Sequence, residues 1–120
     1  MLTYQKKPDS NVAEIIVDGK ISDGEMDAVI ASMKADLDGG AKLRLLQDIR
    51  AFEGMEPAAF FKDVRFGLAL VKGVSHVAVV SDAQWMRIMA ETAGRLSPAQ
   101  IKVFERARLE EARTWLATAT

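Results

Sequence analysis

Five side chains could share chemistry: Asp48, Glu53, Glu56, Ser81 and Asp82 all fall at or just past short apolar runs that read as β-strands. In open α/β sheets, ligands gather outside the carboxyl ends of the strands. Carboxylates gathered there could hold a cation or act as general acid and base. Paired acids need a third group to orient them. The chain's one histidine, His76, stands at the start of a strand and so belongs to the opposite rim. We read His76 as structural or solvent-facing. Ser81 and Asp82 have a capping role available, and Glu53 and Glu56 read as loop acids of the kind water normally surrounds. The acidic rim of Asp48, Glu53, Glu56 and Asp82 is therefore an alternative reading, an enzyme or cation binder, and not the leading one.

Other chemistry is harder to find. The chain has no Gly-x-Gly-x-x-Gly, no phosphate-binding Gly-rich loop, no Gly-x-Ser-x-Gly and no His-Glu-x-x-His. It has no cysteine, which excludes disulfides and thiolate metal sites and fits a reducing cytoplasm. No metal or cofactor is expected. The net charge is −1 with both signs mixed, and no basic stripe points to nucleic acid. Arg106, Arg108 and Arg113 read as a solvated helix face. The amino end shows no apolar signal region, and no apolar run approaches the roughly 20 residues of a membrane helix.

The elements that would position these residues follow from the hydrophobic pattern. With 120 residues and 49% hydrophobic composition, a single domain over 1–120 can build a substantial core. Leu2–Lys6 and Val12–Ile21 read as strands joined by the turn cluster Pro8-Asp9-Ser10-Asn11, which favours an antiparallel hairpin. Ser22-Asp23-Gly24-Glu25 is a capping box. It opens a helix with Met26, Val29, Ile30, Met33 and Leu37 on one face, which Gly39-Gly40 ends. Lys42–Ile49 is a third strand and Phe52–Glu56 a loop. Pro57 opens a helix to about Lys72, closed by Gly73. Ser75–Val80 is a fourth strand. Ser81-Asp82-Ala83-Gln84 forms a second capping box before Trp85, Ile88, Met89 and Ala93. Ile101–Phe104 reads as a fifth strand and Leu109, Ala112 and Leu116 as a last helix. A single helix from Pro98 to Ala117 is the alternative, because Ser97-Pro98-Ala99-Gln100 is itself a helix start.

The order ββαβαβαβα predicts an α/β fold with a mostly parallel five-stranded sheet. If consecutive strands are neighbours, every crossover helix lies on one face. Val77–Val80 is apolar at every position, which calls for cover on both faces. Either the strand order is mixed or something else, a second subunit among the possibilities, covers the second face.

Several apolar side chains exceed what a one-sided helix needs. Phe60, Val64, Gly67, Leu68 and Val71 form a core stripe with Phe61 at its border, while Phe66 and Leu70 lie away from it. The last two predict either burial under neighbouring helices, a lid over an apolar pocket, or a homodimer contact. Met26, Met33, Met86 and Met89 suit either a plain core or an adaptable cavity. A pocket, if present, is expected near Phe60, Phe61, Val64, Trp85 and Met89.

The succession Lys42–Asp48, Phe52-Glu53-Gly54, Val77–Arg87, Ile101–Phe104 and Leu109–Leu116 resembles the SpoIIAA-like family of small bacterial proteins. Its most specific parts are the strand followed by Asp-x-x-Trp ending at Trp85 and the closing Glu-Ala-x-x-Trp-Leu of Glu111–Leu116. Both are packing patterns. The resemblance implies a (βα) superhelical domain with an antiparallel first strand, grouped with STAS domains and compared with the CRAL-TRIO fold. STAS antagonists carry a phosphorylatable serine where this chain reads Asp48 to Pro57, with no serine or threonine. The phosphoswitch does not transfer. Glu56 could instead supply a fixed negative charge near a helix N-terminus. The reading that results is a non-enzymatic cytoplasmic binding module for a partner protein or an apolar, lipid-like molecule, with a structural homodimer as a further alternative.

Overall fold

The computed structural model describes residues 1–40, 42–56, 58–59, 62, 65 and 73–119. The expected helix over 57–72 lies largely outside them, and with it Phe60, Phe61, Val64, Phe66 and Leu70. Ala58, Ala59, Lys62 and Arg65 are described and helical. Strands β1 (Leu2–Lys6) and β2 (Val12–Ile21) form the antiparallel hairpin. Asp9 turns it at φ 54°, and the Ser10 hydroxyl accepts the Val12 N–H at 3.0 Å.

Helix α1 (Asp23–Leu37) starts at the complete capping box. The Glu25 N–H donates to Ser22 Oγ at 3.1 Å, and Glu25 Oε1 accepts the Ser22 N–H at 3.2 Å. Met26, Val29 and Met33 are its buried face, the periodicity expected of a helix laid on a sheet. Gly40, at φ 89°, follows its end, a conformation that costs glycine little.

Strand β3 runs Leu43–Met55, six residues beyond the expected Ile49. Phe52-Glu53-Gly54 has turn composition, but β2 offers partners as far as Ile21, which pairs with Met55. The ladder survives two register shifts, at Val17/Asp18 and Gly19/Lys20. Gly19 and Gly54 take φ of 87° and 115° there, so a bulged strand replaces the loop. Strand β4 (Val74–Val80) pairs with β3 only as far as Asp48↔Val80, leaving Ile49–Met55 as an overhang.

Helix α2 (Gln84–Leu96) follows, then β5 (Gln100–Phe104), a 3₁₀ turn (Arg106–Arg108) and α3 (Leu109–Thr118). The strand-plus-helix reading of the carboxyl end therefore holds over the single long helix. The Ser97 hydroxyl caps a turn, accepting the Ala99 N–H at 3.1 Å, and Ile101–Phe104 pair in parallel with Val77–Val80.

The sheet order is β1-β2-β3-β4-β5, parallel except at β1. Consecutive strands are neighbours, so α1 and α2 lie on one face with Ala13, Ile15, Val17, Leu45, Ile49 and Val79. The question of the second face is settled within the chain. Helix α3 covers it, with Ala112 and Leu116 packed on Val12, Leu46, Ala78, Val80 and Phe104. Alternation along β4 then explains its unbroken apolar run, since Val77 and Val79 face the first cluster and Ala78 and Val80 the second.

Candidate functional site

The carboxyl rim of the parallel strands is organised by one buried charge. Asp48, at the point where β3 outruns β4, is 1% exposed. A carboxylate that deep needs partners. Arg106 Nη1 donates to its Oδ1 at 2.5 Å, and Arg50 Nε to its Oδ2 at 3.3 Å. Arg106 is held in turn by its backbone, whose N–H donates to Asp82 Oδ1 at 2.9 Å. Asp82 thus serves the 3₁₀ turn after β5.

The expected second capping box does not form. Helix α2 has Ala83 as its N-cap, with no side-chain cap bond. Ser81 Oγ accepts the Ala83 N–H at 3.1 Å, a local turn that uses the hydroxyl two residues before the cap position. Ser81 itself is buried, and its N–H donates to the Phe104 carbonyl at 3.0 Å.

Of the other rim acids, Glu56 is engaged at the start of α1. Glu56 Oε1 accepts the N–H of Asp23, the first residue of α1, at 3.0 Å. Its charge does stand at a helix N-terminus, that of α1. Glu53 lies against Gly19, where an added Cβ would come within 3.4 Å of its Oε2. Asp48 and Asp82 therefore share Arg106, through its guanidinium and its backbone N–H, while Glu56 serves α1 and Glu53 lies beside Gly19 of β2. Among the described residues no group of three acids or histidines could hold a metal ion.

Between the β3 overhang and the β4–α2 turn lies a cleft of about 140 Å³, walled by Arg50, Phe52, Ser81, Asp82, Trp85 and Arg106. Trp85 and Phe52 meet at 5.8 Å between ring centroids. Of the expected pocket residues, Trp85 lines this cleft, Met89 lies on the outer surface of α2, and Phe60, Phe61 and Val64 are outside the described residues.

Helix α2 contributes an unexpected surface. None of its residues is buried, and Trp85, Ile88, Met89 and Leu96 are 50%, 55%, 61% and 85% exposed. Its sheet side uses Met86 and Ala90, with Gly94 set against β5, where an added Cβ would come within 3.2 Å of Ile101 Cβ. Small residues let this helix approach closely, and the larger apolar side chains turn outward.

At the opposite rim His76 is 5% exposed, and its Nδ1 bonds Ser75 Oγ at 2.8 Å. Its ring meets Trp115 of α3 edge-on at 5.6 Å. Burial, and then the Arg44 charge, push its pKa below the ordinary histidine range. Its Nε2 has no partner among the described residues. These contacts fit the structural reading, with the ring fixed under a helix.

Arg50 and Arg106 are the rim residues that sequence reasoning missed. Arg106 looked like one of several solvated helix cations. The usable signal was Asp48 itself, since an acid at the inward end of an apolar strand requires a cation near it.

A family model described as SpoIIAA-like matches residues 12–117. No curated protein sequence matches the chain. Among solved structures, an uncharacterised protein of the DUF3478 family with a SpoIIAA-like fold, from Shewanella loihica PV-4, is similar at 21% identity and TM-score 0.79. The match covers 97% of this chain and 92% of that one. The anti-sigma factor antagonist SpoIIAA in its unphosphorylated form is similar at 12% identity and TM-score 0.59, over 94% of this chain and 98% of that one. At these identities the two structures speak to the fold.

Proposed function

The chain belongs to the SpoIIAA-like family, and from that premise we propose that it is a non-enzymatic regulatory module acting by contact with a partner protein. SpoIIAA is an anti-sigma factor antagonist, and an antagonist works by binding. The observation that carries the reading is the outward stripe of α2. At 100° per residue, Trp85, Met89 and Leu96 fall on one line with Ile88 beside it, all at least half exposed. Large apolar side chains grouped on one exposed face mark interaction surfaces. The rim acids favour the same reading, because the bonds of Asp48, Glu56 and Asp82 are structural. In this reading the chain works in the cytoplasm and carries no phosphoswitch between Asp48 and Pro57. An apolar, lipid-like ligand among Phe60, Phe61, Val64, Trp85 and Met89 is a second reading, favoured by the Trp85–Phe52 ring contact.

The test is native mass spectrometry of tagged protein purified from its own host, wild type beside a Met89→Ser/Leu96→Ser double variant. The expected result is a defined protein complex with the wild type that the folded variant loses. Turnover of a substrate by the pure protein, abolished by Asp48→Asn or Glu56→Gln, would overturn the reading in favour of an acidic-rim enzyme.

A further inference from the structure

We propose that the cleft above Asp48 binds a carboxylate monoanion carried on a flat apolar body, gripped by Arg50 and Arg106 and packed against Trp85 and Phe52. This goes beyond the partner-binding reading and does not depend on it.

The cleft exists because β3 outruns β4. The overhang from Ile49 forms one wall and the Ser81–Trp85 turn the other. Asp48 sits at the junction and takes one nitrogen from each arginine. A guanidinium has five N–H donors in a fixed fork, so each arginine keeps donors after serving Asp48. Among the described residues, no acceptor takes the Nη atoms of Arg50 or the Nε and Nη2 of Arg106. Asp48 thus acts as an anchor. It fixes two forks at the cleft, both partly exposed (46% and 30% of their side chains). Planar forks of this kind match a carboxylate in two-point geometry.

Charge selects the ligand further. Two guanidinium groups face two carboxylates, Asp48 beneath and Asp82 at the wall, so their formal charges cancel. The remaining field is that of the α2 N-terminus, whose first turn has no acidic residue and no side-chain cap. That end carries roughly half a positive charge. One negative charge suits such a site, whereas a phosphate dianion is opposed by Asp82. Half-exposed Trp85, beside Phe52, offers the apolar contact that an aryl body would cover. A volume of about 140 Å³ suits a small acid of this kind.

Hydrocinnamate is a suitable probe, titrated into the isotope-labelled full chain while the Trp85 indole and Arg50 side-chain NMR signals are followed. Its neutral amide and inorganic phosphate are run in parallel. Saturable shifts of both signals with hydrocinnamate are expected, with affinity at least about tenfold weaker for the amide and for phosphate. Arg50→Gln should weaken hydrocinnamate by a similar factor. Arg50→Lys, which keeps the charge and loses the fork, should fall with it while both variants retain the wild-type fold. The proposal is overturned by an absence of saturable shifts, by an amide or phosphate that binds as well, or by an Arg50→Gln variant that binds undiminished.

Discussion

Helices α2 and α3 flank the same end of the sheet and treat it in opposite ways. Helix α3 spans 10 residues and buries Ala112 and Leu116 completely, with Trp115 reaching across to His76 and Phe104. Helix α2 spans 13 residues, buries none fully, and turns its larger apolar side chains outward. The contrast shows that apolar content does not say which way a helix faces. The sheet takes whichever side fits closest, and for α2 that is the side of Ala90 and Gly94. What is left over becomes surface, and surface of that kind is available for recognition.

The sharpest way to break the comparison is at Leu116. Leu116→Ala leaves a cavity between α3 and the sheet and should lower unfolding stability by about 3 kcal/mol, read from urea midpoints followed by tryptophan fluorescence. A loss below about 1 kcal/mol would mean that α3 is not the roof of the second face.

A smaller effect sharpens the same contrast through acid. His76, pressed under α3, has its pKa lowered by burial and by Arg44. Lys102 also reaches this layer, with its ammonium 5.9 Å from the Trp115 ring centre. The unfolded chain takes up the proton near the ordinary value of about 6.5, while the folded chain resists it. The stability tied to neutral His76 is therefore complete above that pH. It falls as pH drops through it and levels off below the folded value, at no more than about 1.4 kcal/mol per pH unit. Glu25, held low by the Leu2 and Ser22 amides, loses its contribution only at more acid pH, so the two windows separate. Urea midpoints between about pH 7 and 5 should decline for the wild type and stay flatter for His76→Leu. Equal slopes would remove His76 from the roof's acid sensitivity.

The α3 side was partly legible in the sequence. The unbroken apolar run Val77–Val80 demanded a second cover, and a mixed strand order or a second subunit was as consistent with it as a helix after β5. Nothing in the pattern said that Arg106–Arg108 would carry the chain under the sheet. The parallel ladder and the hairpin were readable because apolar periodicity and turn composition agree there. The overhang of β3 was not. Its stability comes from a partner strand distant in sequence, and Phe52-Glu53-Gly54 on its own reads as a turn. For the same reason the candidate cleft was only half visible. Trp85 and the rim acids could be placed by counting, but the arginines that turn Asp48 from a free acid into an anchor come from β3's extension and from beyond β5.

The smallest expected effect tests the other half of the comparison. If α2 holds the sheet through Met86, Ala90 and Gly94, the outward residues contribute almost nothing to folding. Met89→Ser and Leu96→Ser should each change unfolding stability by no more than about 0.5 kcal/mol, the range of surface substitutions, measured by the same urea method. Gly94→Leu, on the inner side, should cost more than either, because its Cβ alone stands 3.2 Å from Ile101 Cβ and the branched side chain beyond it has to push helix and strand apart. A larger loss at Met89 or Leu96 than at Gly94 would mean that α2 is seated the other way round. The stripe would then be core, and the surface assigned to partner binding would not exist.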